Sequence, residues 1–336
     1  MRVHAGQNVQ QGIDRLILEL FRERGGVVSG AELSQVLKVS RTAIWKHISG
    51  LREQGYRIES RHAKGYSLME SPDVLTPAAV TAGLQTNRIG SQVFCLVETG
   101  STNVEAYRLA EEGADEGTLV LADAQKQGKG RLGRSWHSPS GVNLYCSIIL
   151  RPPILPVSAF HLTFLSAIAV ARTIESETRL QPLIKWPNDI LVNDKKVAGL
   201  LNEMSAEIDR VNFIILGIGV NLNMRKDQFP SDLRHPATSL LLEGDVKINR
   251  LKFLRTLVET IDKFYDCYLR DGYEPIREEW LIRSRMVGRR VAVDGPMERI
   301  EGVTLGIDES GALLVEQAGG AVARVLAGDV RLLDRE

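Results

Sequence analysis

The chain has 336 residues, of which 43% are hydrophobic, and its 42 Lys and Arg residues are balanced by 42 Asp and Glu residues. This length indicates two or three domains, and the apolar fraction is enough for a sizeable core. Because the formal net charge is zero, the composition excludes a protein that binds polyanions over its whole surface. Any nucleic-acid interface must therefore be a local patch.

The cysteines and the terminal sequence narrow the class further. Cys95, Cys146 and Cys267 are far apart and lack C-x-x-C spacing, which argues against a disulfide framework and a zinc site. The N-terminus shows no basic-then-apolar signal pattern. Apolar runs such as residues 213–220 are shorter than the ~20 residues that span a bilayer. We therefore expect a cytoplasmic protein that makes no membrane contact.

The first part of the chain predicts three short helices followed by a hairpin. Apolar residues at helical spacing predict the first helix over residues 9–24. Ser29 and Glu32 form a capping-box pattern for the second helix, and Ser40 can cap the third. Alternating apolar and charged residues then predict a hairpin. We interpret residues 1–70 as a winged helix-turn-helix domain.

Positive charge is concentrated in the third helix and the hairpin. Residues 41–66 contain six Lys or Arg residues against two Glu, a local balance of +4 in a neutral chain. A helix-turn-helix needs cations for phosphates and short polar groups at the start of its second helix for base edges. A solvated basic face on a protein-interaction domain is the alternative. The predicted DNA-binding residues are Arg41, Thr42, Lys46, Arg61 and Lys64.

Beyond a predicted linker at residues 71–73, the pattern mixes helices and strands and then becomes all-β. We predict a mixed α/β domain over residues 72–285 and a small all-β domain, interpreted as a barrel, over residues 286–336. The chain as a whole is thus a multidomain α+β protein. Buried strands are expected at 143–150 and 211–220, long helices at 158–179 and 251–269, and glycine-bearing turns at 294–295, 310–311 and 319–320.

A glycine-rich basic segment is the most informative local motif. Its glycines allow close backbone approach to a ligand, and three cations within six residues suit the phosphates of a nucleotide. The spacing G-x-G-x-x-G also matches a dinucleotide fingerprint, but that motif must open a helix, and here a strand follows. We therefore reject a Rossmann interpretation; a flexible surface loop is the remaining alternative. The motif reads Gly128-Lys129-Gly130-Arg131-Leu132-Gly133-Arg134-Ser135-Trp136.

A second motif is Lys185-Trp186-Pro187-Asn188-Asp189, here called the WPND motif. It predicts a hairpin with its turn at Asn193-Asp194. Asp189 lies on one strand and Lys196 at the start of the next. A cation and a carboxylate held across a hairpin could stabilise charge during a reaction at a phosphate. A purely structural ion pair explains the pattern equally well.

Two polar segments interrupt apolar patterns. Ser101-Thr102-Asn103 lies between a predicted strand and a helix, where spacing alone favours helix capping. The segment 217–221 ends a buried strand, and its glycines can be explained by close backbone packing.

Together these segments resemble the family of bifunctional biotin–protein ligases and biotin-operon repressors. The resemblance covers nearly the whole chain, and the glycine-rich motif followed by the WPND motif is highly specific. It implies a class II aminoacyl-tRNA-synthetase-like core and an SH3-like C-terminal barrel. The matching segments are Ser101-Thr102-Asn103, Gln125, Gly128 to Trp136, Lys185 to Asp189, Lys196-Val197-Ala198-Gly199 and Gly217 to Asn221.

The resemblance also implies a role for each matching residue. Lys196, Arg131 and Asp189 are expected to be catalytic, with Asp189 orienting the attacking amine. The implied biotin-binding residues are Ser101, Thr102, Asn103, Gln125, Gly128, Lys129, Gly130, Arg131 and Lys196. The implied ATP- and adenylate-binding residues are Arg131, Arg134, Trp136, Asn188, Lys196 and Asn221. One departure is Lys129, where the family usually has Arg; lysine keeps the charge but loses the planar fork.

The implied activity is ATP-dependent formation of biotinyl-5′-AMP and transfer of biotin to a lysine of the biotin carboxyl carrier subunit of acetyl-CoA carboxylase, with Mg²⁺ required. The same resemblance implies an adenylate-bound homodimer that represses biotin synthesis genes at operator DNA. We consider two alternatives, a catalytically silent biotin sensor and a lipoate–protein ligase. The intact basic loop and Lys196 argue against the first, and the winged head and WPND motif against the second.

Overall fold

The computed structural model describes residues 2–61, 64–70, 73–233, 235–284, 286–295 and 299–333. The chain divides into two compact units, one formed by Met1–Gln85 with Val93–Cys95 and the other by Thr86–Gln92 with Leu96–Glu336. Parts of the predicted wing turn (62–63) and linker (71–72) lie outside the described residues.

The N-terminal unit contains the predicted three helices and hairpin. The two cap predictions are confirmed: the hydroxyl of Ser29 accepts from the Glu32 N–H at 3.0 Å, and that of Ser40 from the Ala43 N–H at 3.1 Å. The first helix begins earlier than predicted. The elements are α1 (Arg2–Arg24), α2 (Gly30–Leu37), α3 (Arg41–Glu53), β1 (Arg57–Arg61), β2 (Gly65–Glu70), which pairs antiparallel with β1, and a short α4 (Pro77–Thr81).

A buried polar contact fixes α3 on α1. His47 Nδ1 lies 2.7 Å from Asp14 Oδ1, and both side chains are almost fully buried. Burial raises the pKa of Asp14, while the hydrogen bond and the charge of His47 oppose that rise. The hairpin is tied to α3 by Arg52, whose guanidinium donates to the Ile58 carbonyl at 2.7 and 2.9 Å.

A seven-stranded sheet forms the centre of the second unit, in the order β3-β4-β5-β9-β8-β7-β6. Neighbouring strands from β4 to β6 run antiparallel. The strands are β3 (Val93–Thr99), β4 (Leu119–Gln125), β5 (Leu144–Leu150), β6 (Leu183–Lys185), β7 (Asp189–Val192), β8 (Lys195–Ala206) and β9 (Val211–Val220); the helices are α5 (Thr102–Glu111), α6 (His161–Glu177), α7 (Leu240–Gly244), α8 (Arg250–Asp271) and α9 (Glu274–Ser284). The predicted buried strands and long helices are therefore confirmed.

Helix α6 is the core helix of this unit. The segment Pro156–Glu177 is long and apolar enough to cross a membrane by length and composition alone, yet 72% of its most apolar stretch is buried inside the protein. α6 packs against the sheet and against α8 and α9. Polar residues such as Thr163 and Ser166 interrupt its apolar sequence, so the helix contains no long unbroken apolar run.

The C-terminal part is a five-stranded antiparallel sheet in the order β13-β12-β11-β10-β14. The predicted all-β character is confirmed by β10 (Arg290–Asp294), β11 (Arg299–Ile307), β12 (Leu313–Glu316) and β13 (Val322–Val325), while β14 (Asp329–Leu332) was not predicted. The turns at 310–311 and 319–320 lie where predicted, whereas the turn predicted at 294–295 continues into residues 296–298, which lie outside the described residues.

Buried aromatic side chains attach this small sheet to the core. Trp186 Nε1 donates to the Gly311 carbonyl at 3.0 Å. His161 Nε2 lies 2.9 Å from the Glu309 carbonyl, so the turn between β11 and β12 is held at two points. A Cβ at Gly311 would lie 2.4 Å from the ring of Phe164, and only glycine allows this close approach. Trp186 of the WPND motif is thus a structural anchor.

Candidate active site

One pocket on the seven-stranded sheet brings both sequence motifs together. The glycine-rich loop connects β4 to β5, and the WPND segment connects β6 to β7. Both face β8, β9 and the start of α5. The lining residues include Ser101, Thr102, Asn103, Gln125, Lys129, Gly130, Arg131, Arg134, Trp136, Lys185, Asn188, Asp189, Lys196, Gly199, Leu201, Gly217, Gly219, His235 and Asp329.

Polar side chains at the N-terminus of α5 form one end of the pocket. Ser101 occupies the N-cap position, but its side chain makes no cap hydrogen bond, so the capping prediction is wrong. Thr102 donates from its backbone N–H to Gln125 Oε1 at 2.8 Å. Asn103 donates to the Leu201 carbonyl at 3.0 Å and to Glu203 Oε2 at 2.7 Å. This end of the pocket therefore offers fixed hydrogen-bonding groups in a buried setting.

Two glycines of β9 leave room for the groups above them. A Cβ at Gly217 would lie 2.1 Å from Asn103 Oδ1, and a Cβ at Gly219 would lie 2.7 Å from Trp136 Nε1. These glycines do allow close packing, as predicted. The groups that pack on them are the side chains of Asn103 and Trp136, which line the pocket. Any larger residue would displace either the polar end or the tryptophan.

Three side chains of the glycine-rich loop reach three different elements. Lys129 Nζ lies 3.7 Å from Glu203 Oε1 on β8. Arg131 Nη1 donates to Asn188 Oδ1 of the WPND segment at 3.3 Å. Arg134 forms a two-pronged ion pair with Asp329 on β14. The loop is therefore held over the pocket by contacts with both the core and the C-terminal sheet.

The predicted hairpin holds its cation and carboxylate together. Lys196 Nζ lies 2.6 Å from Asp189 Oδ1 and 5.3 Å from the centre of the Trp136 ring. Gly199 pairs with Asp189 across the hairpin. A Cβ at Gly199 would lie 3.3 Å from Lys196 Nζ, so a larger residue would crowd the ion pair. Apart from this pair, Asp189 Oδ1 is buried and accepts no hydrogen bond.

Positive charge dominates the end of the pocket near Lys196, which we call the cationic end. Burial lowers the pKa of Arg131, and burial together with neighbouring Lys196 lowers that of Lys185, although Asp189 opposes the shift. The ion pair between Arg134 and Asp329 raises the pKa of the former and lowers that of the latter. Partly desolvated cations facing an open cavity are suited to a polyanionic ligand.

Most of the residues predicted for the site line this pocket, with two exceptions. Asn221 lines an adjoining cavity that shares Arg134, Trp136 and Lys196 with the pocket. Gly128 is not among the lining residues, and its carbonyl accepts from the Trp136 N–H at 2.7 Å. A Cβ there would lie 2.4 Å from the Trp136 carbonyl, so a glycine at 128 lets the two ends of the loop pack closely together.

Sequence comparisons agree with this geometry. The sequence model of the Biotin/lipoate A/B protein ligase family matches residues 93–221, an HTH domain model matches 14–67, and the Biotin protein ligase C terminal domain model matches 287–333. The chain is 39% identical to the bifunctional ligase/repressor BirA of Bacillus subtilis over 317 residues, which cover 94% of this chain and 97% of that protein. The chain belongs to the family of bifunctional biotin ligase/repressors.

Further members and a solved structure extend this biotin ligase/repressor match. BirA of Escherichia coli is 30% identical over 309 residues, covering 92% of this chain and 94% of that protein. The structure of Aquifex aeolicus biotin protein ligase in complex with biotin and ATP is similar with a TM-score of 0.62 and 28% identity. It covers 72% of this chain and 98% of that chain.

Three ionisable residues that line this pocket are absent from the sequence-based site. Lys185 begins the WPND motif, and its position there was a usable signal. His235 and Asp329 line the same pocket, but no motif precedes them. Burial and the nearby Lys185 lower the pKa of His235.

In the repressor-type head, all five predicted DNA-binding residues are exposed. Arg41, Thr42 and Lys46 lie in the first two turns of α3. Arg61 ends β1, and Lys64 directly precedes β2.

Proposed function

We propose that this ligase/repressor activates biotin with ATP and transfers it to a lysine of a carboxylase subunit, using the pocket between the glycine-rich loop and the sheet. The observation that carries the proposal is the position of Lys196, 2.6 Å from Asp189 and beside Trp136, where the two motifs meet. A carboxylate and an α-phosphate can approach each other only where such cations offset their repulsion.

We place the biotin ring at the polar end of the pocket. Ser101, Thr102, Asn103 and Gln125 present hydroxyl and amide groups there. A ureido group carries both donors and an acceptor, so it matches such a mixed set. Lys129 and Gly130 line the pocket from the loop, and Gly128 allows the close packing of the loop ends.

The nucleotide is placed at the cationic end. Trp136 offers a ring face for adenine, and its Nε1 is buried without a hydrogen-bond acceptor. Arg131, Arg134 and Lys196 face the phosphates, with Asn188 orienting Arg131. Asn221 lies in the adjoining cavity on the same side, which gives the nucleotide room beyond Trp136.

The implied Mg²⁺ fits this end as a companion of ATP. The described ranges contain no group of three or more His, Cys, Asp or Glu side chains placed to hold a metal. Nucleotide-bound Mg²⁺ is commonly held by one or two carboxylates, substrate phosphates and water. Beyond its ion pair with Lys196, Asp189 Oδ1 accepts no hydrogen bond, so this carboxylate would be the one to hold the ion. A Mg²⁺ ion bound there would further neutralise the phosphate charge.

The first step joins the biotin carboxylate to ATP. A carboxylate oxygen forms a bond to the α-phosphorus, the bond to the bridging oxygen breaks, and pyrophosphate leaves. Lys196 and Arg131 stabilise the negative charge that collects at the α-phosphate. The product, biotinyl-5′-AMP, carries a good leaving group on the acyl carbon.

The second step transfers biotin to the acceptor. The lysine amine attacks the acyl carbon, AMP leaves, and the amine loses a proton. With a reference pKa of ~10.4, only one lysine in ~2,500 is neutral at pH 7. Asp189 lies beside the reacting centre and orients the incoming amine.

Arg131→Ala tests the pocket together with the activity. The wild-type chain, mixed with biotin, ATP and a biotin carboxyl carrier domain, should label the carrier and release pyrophosphate only when biotin is present. The variant should lose the adenylate about 10 to 100 times faster, as expected when a charged hydrogen bond is removed. Arg210→Ala is the control, because that exposed residue pairs only within its own turn, with Glu207. Failure of the wild type to label the carrier would contradict the activity, and normal adenylate retention by Arg131→Ala would contradict the site.

Two finer features of the fold belong to the proposal. We propose that the sheet of residues 93–221 belongs to a class II aminoacyl-tRNA-synthetase-like core and that the C-terminal sheet forms an SH3-like barrel. The proposed domains are residues 1–70, 72–285 and 286–336, and the proposed location is the cytoplasm.

Lipoate is the competing substrate. Excess lipoate should leave carrier biotinylation unchanged if the polar end of the pocket selects the ureido ring.

Regulation is proposed to run through the winged head. The adenylate-bound chain forms a homodimer and occupies an operator of two half-sites beside biotin synthesis genes. For the adenylate to shift the equilibrium between monomer and dimer, it must bind more tightly to the dimer. The residues that contact this DNA are Arg41, Thr42, Lys46, Arg61 and Lys64. Gel shifts with DNA upstream of biotin synthesis genes should show tighter binding when biotin and ATP are both added. Binding that is indifferent to biotin and ATP would contradict this proposal.

A further inference from the structure

Helix α3 presents a large aromatic side chain on the face opposite its core contacts. Its buried face consists of Ile44, His47, Ile48 and Leu51. Trp45 is 56% exposed and lies between exposed polar and basic neighbours. Those neighbours on the outward face are Arg41, Thr42 and Lys46.

The exposure of Trp45 differs from that of the other tryptophans. Trp186 and Trp280 are fully buried, and Trp136 lines the ligand pocket. A tryptophan buries more apolar area than almost any other residue, so leaving it in water forgoes stabilisation of the fold. Its outward position makes this apolar surface accessible to a partner.

The charge around Trp45 identifies the class of that partner. Arg41 and Lys46 flank it, and residues 38–52 contain no Asp or Glu. The caps and the His47–Asp14 contact fix the helix, so the outward face is presented in one orientation. A rigid, cationic helix face with polar groups at its N-terminus complements the major groove of DNA.

We propose that Trp45 is a specificity-determining residue of the winged head, which packs its indole on the C5-methyl group of a thymine in the major groove. This inference rests on the proposed DNA binding. The indole Nε1–H is a donor only, and the major-groove edge of an A·T pair offers acceptors beside that methyl group. Arg41 and Lys46 contact phosphates, so they supply affinity that is independent of sequence.

The test uses the full chain with biotin and ATP to select duplexes from a random-sequence DNA library. Trp45→Ala should bind the selected duplex about 10 to 100 times more weakly, yet bind an unselected duplex as the wild type does. Lys46→Ala should weaken binding to both duplexes and lower the slope of log affinity against log salt by about 1. Leu16→Ala is the matched control, because Leu16 is an exposed apolar residue on α1.

Thymine replacement locates the contact. Exchanging single thymines of the selected duplex for deoxyuracil removes one methyl group each. One such exchange should weaken the wild type several-fold and leave Trp45→Ala unaffected, with Trp45→Phe intermediate. Thermal melting of each variant shows whether the head stays folded.

The outcomes separate this inference from DNA binding itself. If the wild type enriches no duplex, the DNA-binding proposal fails and this inference fails with it. If the wild type selects a duplex that Trp45→Ala binds equally well, only the role of Trp45 is overturned. A Trp45→Ala variant that binds DNA normally but labels the carrier domain poorly would place Trp45 on a protein partner and also overturn the inference.

Discussion

Replacing Lys196 by methionine should slow biotin-dependent pyrophosphate release by about 100- to 1,000-fold, the range found when one charge-stabilising group is removed from an active site. Methionine keeps most of the length of the lysine stem and removes the charge. Lys196 Nζ lies 2.6 Å from Asp189 Oδ1, so the variant also leaves that carboxylate without its cation. Both changes raise the electrostatic cost of bringing a carboxylate to a phosphate.

The adjacent lysine provides the control for this prediction. Lys195 Nζ pairs with Glu243 at 2.9 Å and is half-exposed, outside the pocket. Lys195→Met should therefore release pyrophosphate at the wild-type rate. Calorimetric binding of biotin by both variants separates loss of chemistry from loss of the fold. A Lys196→Met variant as fast as Lys195→Met would show that the ion pair is only structural.

Local features of the structure could be predicted because short-range rules decide them. Ser29 and Ser40 cap helices as expected, since the capped N–H groups are only three residues away. Asn193 and Asp194 both have positive φ, 48° and 58°, which these residue types tolerate in a tight hairpin turn. That turn brings Lys196 back to Asp189, so the central ion pair follows from a few neighbouring residues.

Long-range contacts could not be predicted in this way. Arg134 pairs with Asp329, which lies 195 residues later in the chain. β14 carries that carboxylate, and nothing in its short sequence distinguishes Asp329 from any charged residue on a strand. The contribution of the C-terminal sheet to the pocket therefore became visible only when the strands were placed.

Ser101 shows how tertiary structure can override a local preference. Its position before α5 favours capping, but its side chain is buried and lines the pocket without making the cap bond. Hydrogen bonds from the next two residues, Thr102 and Asn103, reach Gln125 and Leu201, and these contacts hold the start of the helix instead. A serine freed from capping keeps its hydroxyl available to a ligand.

Substituting Gly217 by alanine should weaken biotin binding by about 10- to 100-fold, which corresponds to the ~1–3 kcal/mol typical of overpacking. The new Cβ would lie 2.1 Å from Asn103 Oδ1 and 2.7 Å from the Leu201 carbonyl. Asn103 must then leave its place, since the backbone of β8 is held in the sheet. The polar end of the pocket would lose its arrangement while the cationic end stayed intact.

Gly219→Ala provides the contrast on the same strand. Its Cβ would lie 2.7 Å from Trp136 Nε1, so this variant should weaken ATP binding more than biotin binding. Gly244→Ala is the control for a glycine with ordinary space, because its nearest neighbour is 3.6 Å away. Calorimetric titration of each variant with biotin and with a non-hydrolysable ATP analogue measures both affinities. The assignment of biotin to the Asn103 end and nucleotide to the Trp136 end requires the two variants to lose different ligands. If Gly217→Ala lost ATP and Gly219→Ala lost biotin, the two ligands would lie in the opposite direction along the sheet. If both variants lost the same ligand, the assignment would be wrong.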